Sequence, residues 1–178
     1  MLAWMDLEMT GLDPYSDLIL EIATVVTDDE LNIVAESPIY VIAAPEQVLS
    51  RMNATVTAMH SSNGLIDAVR NSNTSLGEAS SATLDFLKTH LPHKGQVPLC
   101  GNSIGTDRRF LTRYMPEVDD WLHYRSVDVS SVKELAKRWY PETLAQMPPK
   151  AVGHRALDDI RESISELRFY REFVFRTR

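Results

Sequence analysis

Two carboxylates, Asp6 and Glu8, stand one residue apart in the opening stretch "MLAWMDLEMTGLDP", which otherwise reads as an apolar strand. Side chains at i and i+2 of a strand share a face, so the two acids would lie side by side. Like charges at that spacing repel, and burying them unpaired would cost several kcal/mol or leave one protonated unless a cation sits between them. A divalent metal ion answers that requirement. The plainer alternative is a strand end frayed into water, with both acids solvated. Further along, Asp107 follows "CGNSIGT" where a polar loop meets a helix start, a place where the helix macrodipole by itself favours an acid. In "GHRALDDIRES", His154 precedes a helix whose first turns carry Asp158 and Asp159. Each of these residues has an ordinary structural explanation alone. As a set they are an acid cluster with one base, which fits two-metal hydrolysis: carboxylates hold hard divalent ions, and a histidine takes the proton of the attacking water.

Composition limits what such a site would serve. The 178 residues fit one domain, with a core large enough to need no disulfide or structural metal. With 44% hydrophobic and 24% charged residues, and no apolar run near the roughly 20 residues that span a bilayer, the chain reads as soluble and non-membrane. No basic stretch followed by an apolar core opens the sequence, so no secretory leader is expected. The single cysteine, Cys100 in "VPLCGN", suits an apolar strand position and a reducing cytosol. A net charge of −7 argues against a broad electrostatic groove for long nucleic acid. A small anionic ligand remains compatible with it, because metal ions and one arginine can reverse the local field.

The elements that must position these residues read as strands first, then alternating strand and helix. Residues 1–42 contain three strands, "LAWMDLE", "LILEIATVVTD" and "LNIVAESPIYVIA", the middle one apolar enough to be covered on both faces. A polar stretch at 70–75 leads to a helix with Ser75 and Glu78 in capping-box spacing, stopping at Pro92. "VPLCGN" reads as a short buried strand, "DRRFLTRYM" as the helix after it, and "LHYRSVDV" as a further extended element. A helix from Ser131, capped with Glu134, ends before Pro141, and the proline-rich "YPETLAQMPPKAVG" reads as a loop or flap. The last helix follows His154 and places Leu157, Ile160, Ile164 and Leu167 on one face. The expected class is α/β, a mixed central sheet flanked by helices in one domain over residues 1–178.

Through "DLEMTGLDP", "LNIVAESP", "CGNSIGTDRRFL", "YMPEV", "HYRSVDVSSVKELAKRWYPE" and "HRALDDIRES", in order and over nearly the whole chain, the sequence resembles the oligoribonuclease family. That family belongs to the DEDDh branch of 3′-to-5′ exonucleases with an RNase H-like fold. The resemblance implies that Asp6 and Glu8 are the first acidic pair, Asp107 the third acid and Asp159 the fourth, with His154 as general base. Helical spacing alone would favour Asp158, four residues after His154; the resemblance selects Asp159. It further implies two Mg²⁺ or Mn²⁺ ions bridged by Asp6, with Glu8 and Asp159 completing one site and Asp107 contributing directly or through water.

The same resemblance implies a cytoplasmic homodimer that degrades RNAs of two to five residues, dinucleotides above all, to nucleoside 5′-monophosphates. Leu12 matches a wedge beside the bases. His60 and Ser103 match groups capping the substrate's 5′ phosphate, and Tyr124 and Arg125 match cap residues supplied by the partner subunit. One departure is Thr55, which stands where many members carry a tryptophan that stacks on a base. Two other readings are weighed against this one. A broader DEDDh exonuclease trimming DNA or structured RNA 3′ ends should want a basic track, which the composition lacks. An inactive nucleotide-binding module of the same fold should have lost part of the acid set, which is intact.

Overall fold

The computed structural model describes residues 1–148 and 155–175. His154 and the end of the proline-rich segment therefore lie outside the described residues. Strand β1 (Leu2–Met9) and strand β2 (Ile19–Thr27) pair antiparallel in a register that sets Asp6 against Ala23 and Glu8 against Glu21. All nine residues of β2 are buried, as its apolar run requires. The predicted third strand is instead two short ones, β3 (Ile33–Glu36) and β4 (Tyr40–Val41), which pair with successive stretches of the same β2 edge. The break is chemical: Pro38 has no N–H to give a ladder, and the Ser37 hydroxyl accepts the Thr24 amide at 3.0 Å where a strand carbonyl would otherwise do so.

Between β4 and the end of the polar stretch at 70–75, where the sequence suggested no element, lie three helices: α1 (Glu46–Leu49), α2 (Ala54–Ser62) and α3 (Leu65–Asn71). Asn53 caps α2 through the Val56 amide, and Gly64, at φ 75°, makes the left-handed turn into α3 that a side chain would resist. Helix α4 (Leu76–His90) starts at the predicted Ser75–Glu78 capping box. Strand β5 (Pro98–Gly101) then runs parallel to β1, and helix α5 (Gly105–Tyr114) begins two residues earlier than expected. A short α6 (Pro116–Trp121) leads to β6 (His123–Asp128), parallel to β5. Helix α7 (Val129–Trp139) is capped by Asp128, which takes the Ser130 amide; the expected Ser131–Glu134 box does not form, and Glu134 pairs with Arg138 instead. Part of the predicted loop is a single turn, α8 (Pro141–Leu144), and α9 (Ala156–Phe173) closes the fold.

The six-stranded mixed sheet has the order β3-β2-β1-β5-β6, with β4 also on β2. Alternation along β1 divides the molecule. Ala3, Met5 and Leu7 face a core built with α4, α5 and α6, including Leu87, Phe110, Leu111 and Val118. Trp4 faces the other side, where Ala23, Val25, Cys100, Val129, Ile160, Ile164 and Tyr170 pack under α7 and α9. Asp6 and Glu8 continue the Trp4 face, so the acids look toward the start of α9. Cys100 is buried in β5, as its neighbours suggested, and burial pushes its thiol up to about 12.

Candidate active site

Asp6, Glu8 and Asp159 each offer a carboxylate oxygen, and the three lie within 4.8 Å of one another. The convergence follows from two periodicities: period 2 along β1 aligns Asp6 with Glu8, and the first turn of α9 lowers Asp159 onto them. Its neighbour Asp158, which helical spacing alone would favour, is exposed, pairs with Arg161 at 3.7 Å and is not one of the three clustered acids. Asp107 approaches these acids from the first turn of α5, beyond the end of β5. Strand β5 pairs with β1 only through Ala3 and Trp4, and beyond that point Asp107 Oδ1 accepts the Leu7 amide at 3.0 Å in place of a further strand residue. It is thus anchored to β1 from the first turn of α5, a role the macrodipole alone would not require.

The electrostatics of this group are costly. Burial, and then the charges of Asp107, Glu8, Asp159 and Glu21, hold the Asp6 carboxyl well above the usual carboxylate range. Burial and the neighbouring acids push Glu8 up to about 8, with Arg155 opposing them. Burial brings Asp107 to about 7 despite the Leu7 amide. Hard oxygen donors, crowded and withdrawn from water, are the donor set of a divalent-cation site. Asp6, Glu8 and Asp159 line a cleft of about 240 Å³ together with Leu7, Met59, Asn102 and Ser163. Met59 and Asn102 escaped the sequence reading. Met59 sits on α2, four residues and so one helical turn after Thr55, in a stretch with no clear amphipathic period.

The remaining expected residues occupy different places. Ser103 adjoins Asn102 in the β5–α5 turn with φ 52°, its amide bound to Asp128 and Ser130 and its hydroxyl 3.1 Å from the Ser130 hydroxyl. Leu12 projects from the loop after β1 and is 69% exposed. That loop is held rigidly, with the Leu12 carbonyl accepting from Arg109 at 2.8 Å and Asp17 bound to Thr10 and the Asp13 amide. A Cβ on Gly11 would meet the Asp17 carboxylate at 2.4 Å, so a side chain there would displace Asp17 from its hydrogen bonds. His60 is fully buried on α2, its Nε2 2.9 Å from the Met9 carbonyl oxygen and its Nδ1 3.8 Å from Glu8 Oε2. The structure therefore sets His60 behind Glu8 and does not bring it to the surface with Ser103. Tyr124 and Arg125 lie on β6, an edge strand, with Tyr124 73% exposed and the guanidinium 5.2 Å from its ring centroid. Neither lines the acid cleft of its own chain among the described residues.

Among solved structures, E. coli exonuclease I in complex with a dT13 oligonucleotide superposes with a TM-score of 0.73 over 97% of this chain, at 16% identity. The chain spans 41% of that protein's length, and the likeness is one of fold. The fold is RNase H-like, and the acid cluster sits on its central strand and last helix. The exonuclease family model RNase_T matches residues 3–167. The oligoribonuclease of Vibrio cholerae serotype O1 is 53% identical over 175 residues, covering 98% of this chain and 96% of the relative. That of Haemophilus ducreyi is 54% identical over 171 residues, covering 96% and 92%. The chain belongs to the oligoribonuclease family of exonucleases.

Proposed function

We propose that this chain is a 3′-to-5′ exoribonuclease of one domain that degrades RNAs of two to five residues, above all dinucleotides, to nucleoside 5′-monophosphates. The observation that carries this reading is the convergence of Asp6, Glu8 and Asp159, with Asp107 beside them, in a chain more than half identical to oligoribonucleases over nearly its full length. These four acids would hold two Mg²⁺ or Mn²⁺ ions. Asp6, Glu8 and Asp159 would be their direct ligands, with Asp107 contributing directly or through water. Bound there, the ions supply neutralisation of the scissile phosphate and a water of lowered pKa. His154, five residues before Asp159, takes the proton of the attacking water.

Length selection falls to the exposed residues. Leu12 wedges beside the bases, Ser103 caps the 5′ phosphate, and Tyr124 and Arg125 complete the cap across a homodimer, while the buried His60, expected in the cap, backs Glu8 instead. The edge position of β6 and the exposure of Tyr124, together with Leu135 and the 66% exposed Trp139 on α7, support a partner surface on this side. Among the described residues no helix is long and apolar enough to cross a membrane, and the proposed location is cytoplasmic. The test uses 5′-end-labelled RNAs of two to twenty residues with and without divalent metal. Metal-dependent loss of 3′ residues, fastest for the dinucleotide, is expected. Equal or faster trimming of the longest RNAs or of DNA would favour the broader exonuclease, and no cleavage at all would favour a binding module.

A further inference from the structure

Glu21 is fully buried in the middle of β2, directly across the ladder from Glu8. Its carboxylate accepts from Arg155 Nε at 3.1 and 3.0 Å, from Arg155 Nη2 at 2.6 Å and from the Ala156 amide at 3.0 Å. Ala156 is the first residue of α9, and that helix begins without a side-chain cap of its own. An exposed amide at a helix start is ordinarily satisfied by a serine, threonine or aspartate one residue earlier. Here the cap comes from another element, 135 residues away in sequence, and it ties the helix start to the strand beside the metal-holding acids. Asp159 lies three residues after Ala156, within the same helical turn. A displacement of the helix start therefore moves the Asp159 carboxylate directly. The same hydrogen bonds fix the Arg155 guanidinium near Glu8, whose upward shift it opposes.

We propose that Glu21 and Arg155 are positioning residues for the metal site: the pair clamps the start of α9 to β2, so that Asp159 meets Asp6 and Glu8 at ligating distance. The inference rests on the reading that those three acids hold divalent ions. Partners that orient metal ligands commonly change metal affinity by about 10–100-fold when removed. A pair that served only to stabilise the fold would leave the metal affinity of the folded protein alone. A pair that acted only through charge would shift it in opposite directions, weaker when Glu21 is neutralised and tighter when Arg155 is.

The experiment compares the parent protein, Glu21→Gln, Arg155→Gln, the double variant and Asp6→Asn, all stripped of metal. Mn²⁺ binding is followed by calorimetry, thermal unfolding in EDTA is recorded, and kcat and KM are measured on a dinucleotide. Expected are a 10–100-fold weaker Mn²⁺ Kd in both single variants, a double variant no worse than the weaker single, and a loss expressed in kcat more than in KM. Arg155→Gln, at the more exposed end of the pair, carries the test if the buried Glu21→Gln does not fold. Unchanged Mn²⁺ affinity in the folded variants, beside an Asp6→Asn protein that has lost binding, overturns the inference alone. So does tighter binding in Arg155→Gln. A parent that takes up no Mn²⁺ overturns the reading of the site and the inference with it.

Discussion

At the scale of single residues the site is a concentration of charge that the fold tolerates at a cost. In the metal-free protein the folded-state pKa of Glu8 is raised from 4.5 to about 8 and that of Asp107 from 3.8 to about 7, with Asp6 raised as well. A raised carboxylate pKa means that the native state holds its proton more tightly than the unfolded chain. The contribution of these groups to stability therefore falls as pH rises from about 4 through about 8. Asp6→Asn removes a group whose ionisation the fold opposes, so in EDTA at pH 8 it should unfold above the parent, by roughly 2–4 °C for each kcal/mol of that cost, and the difference should shrink as pH falls toward the ordinary carboxylate range. Its turnover should be abolished, and Mn²⁺ should raise the parent's melting temperature more than the variant's. A variant with near-normal activity at saturating Mg²⁺ would remove Asp6 from the site. His154→Ala should lose roughly 10²–10⁴-fold in turnover with dinucleotide binding largely kept, and the parent's rate should fall on the acid side as the base is protonated. An unchanged single-turnover rate would exclude the role.

Elements differ in how openly the sequence announces them. Strand β1 and its acids were legible because period 2 places Asp6 and Glu8 together from spacing alone, and β2 because a long apolar run must be covered on both faces. The capping box of α4 was equally plain. Helix α2 was not, because "ATVTAMHSS" lacks an apolar stripe and carries threonine and valine, so only Asn53 before it and Gly64 after it marked its ends. Missing α2 also hid the wall of the cleft that Met59 forms. Glu21 had one signal, a lone acid inside an apolar strand, but its partner at the α9 start is a tertiary contact that no local pattern contains. Thr55 offers a test at this scale. It is exposed on α2, one turn from Met59, and base stacking on an aromatic ring is worth roughly 1–3 kcal/mol. Thr55→Trp should accordingly lower KM for the dinucleotide by about 5-fold or more with kcat unchanged; no change in KM would place α2 outside the substrate's reach.

The whole molecule joins an acidic surface to a site for an anion, and its proposed solution is to keep the substrate short and close the site with a second copy. If Arg125 and Tyr124 reach across a dimer to a 5′ phosphate, Arg125→Ala should weaken dinucleotides by roughly 1.5–3 kcal/mol and longer RNAs less, since a longer chain must displace the cap. Removing the 5′ phosphate from the substrate should cost the parent about as much and the variant little more. Mixing Arg125→Ala with Asp6→Asn subunits should restore dinucleotide cleavage, because one hybrid site then has intact acids and an intact partner arginine. No recovery, despite demonstrated subunit exchange, would place Arg125 in its own chain's site or in none.

The most direct measurement is the hydrolysis of a 5′-phosphorylated dinucleotide by metal-stripped protein, followed as the appearance of mononucleotides while Mn²⁺ or Mg²⁺ is added back. Convergence of Asp6, Glu8 and Asp159 on a divalent-cation site predicts no turnover in EDTA and full recovery on addition of metal, yielding nucleoside 5′-monophosphates. Cleavage that persists in EDTA, or a dinucleotide left intact by the metal-saturated protein, would contradict it.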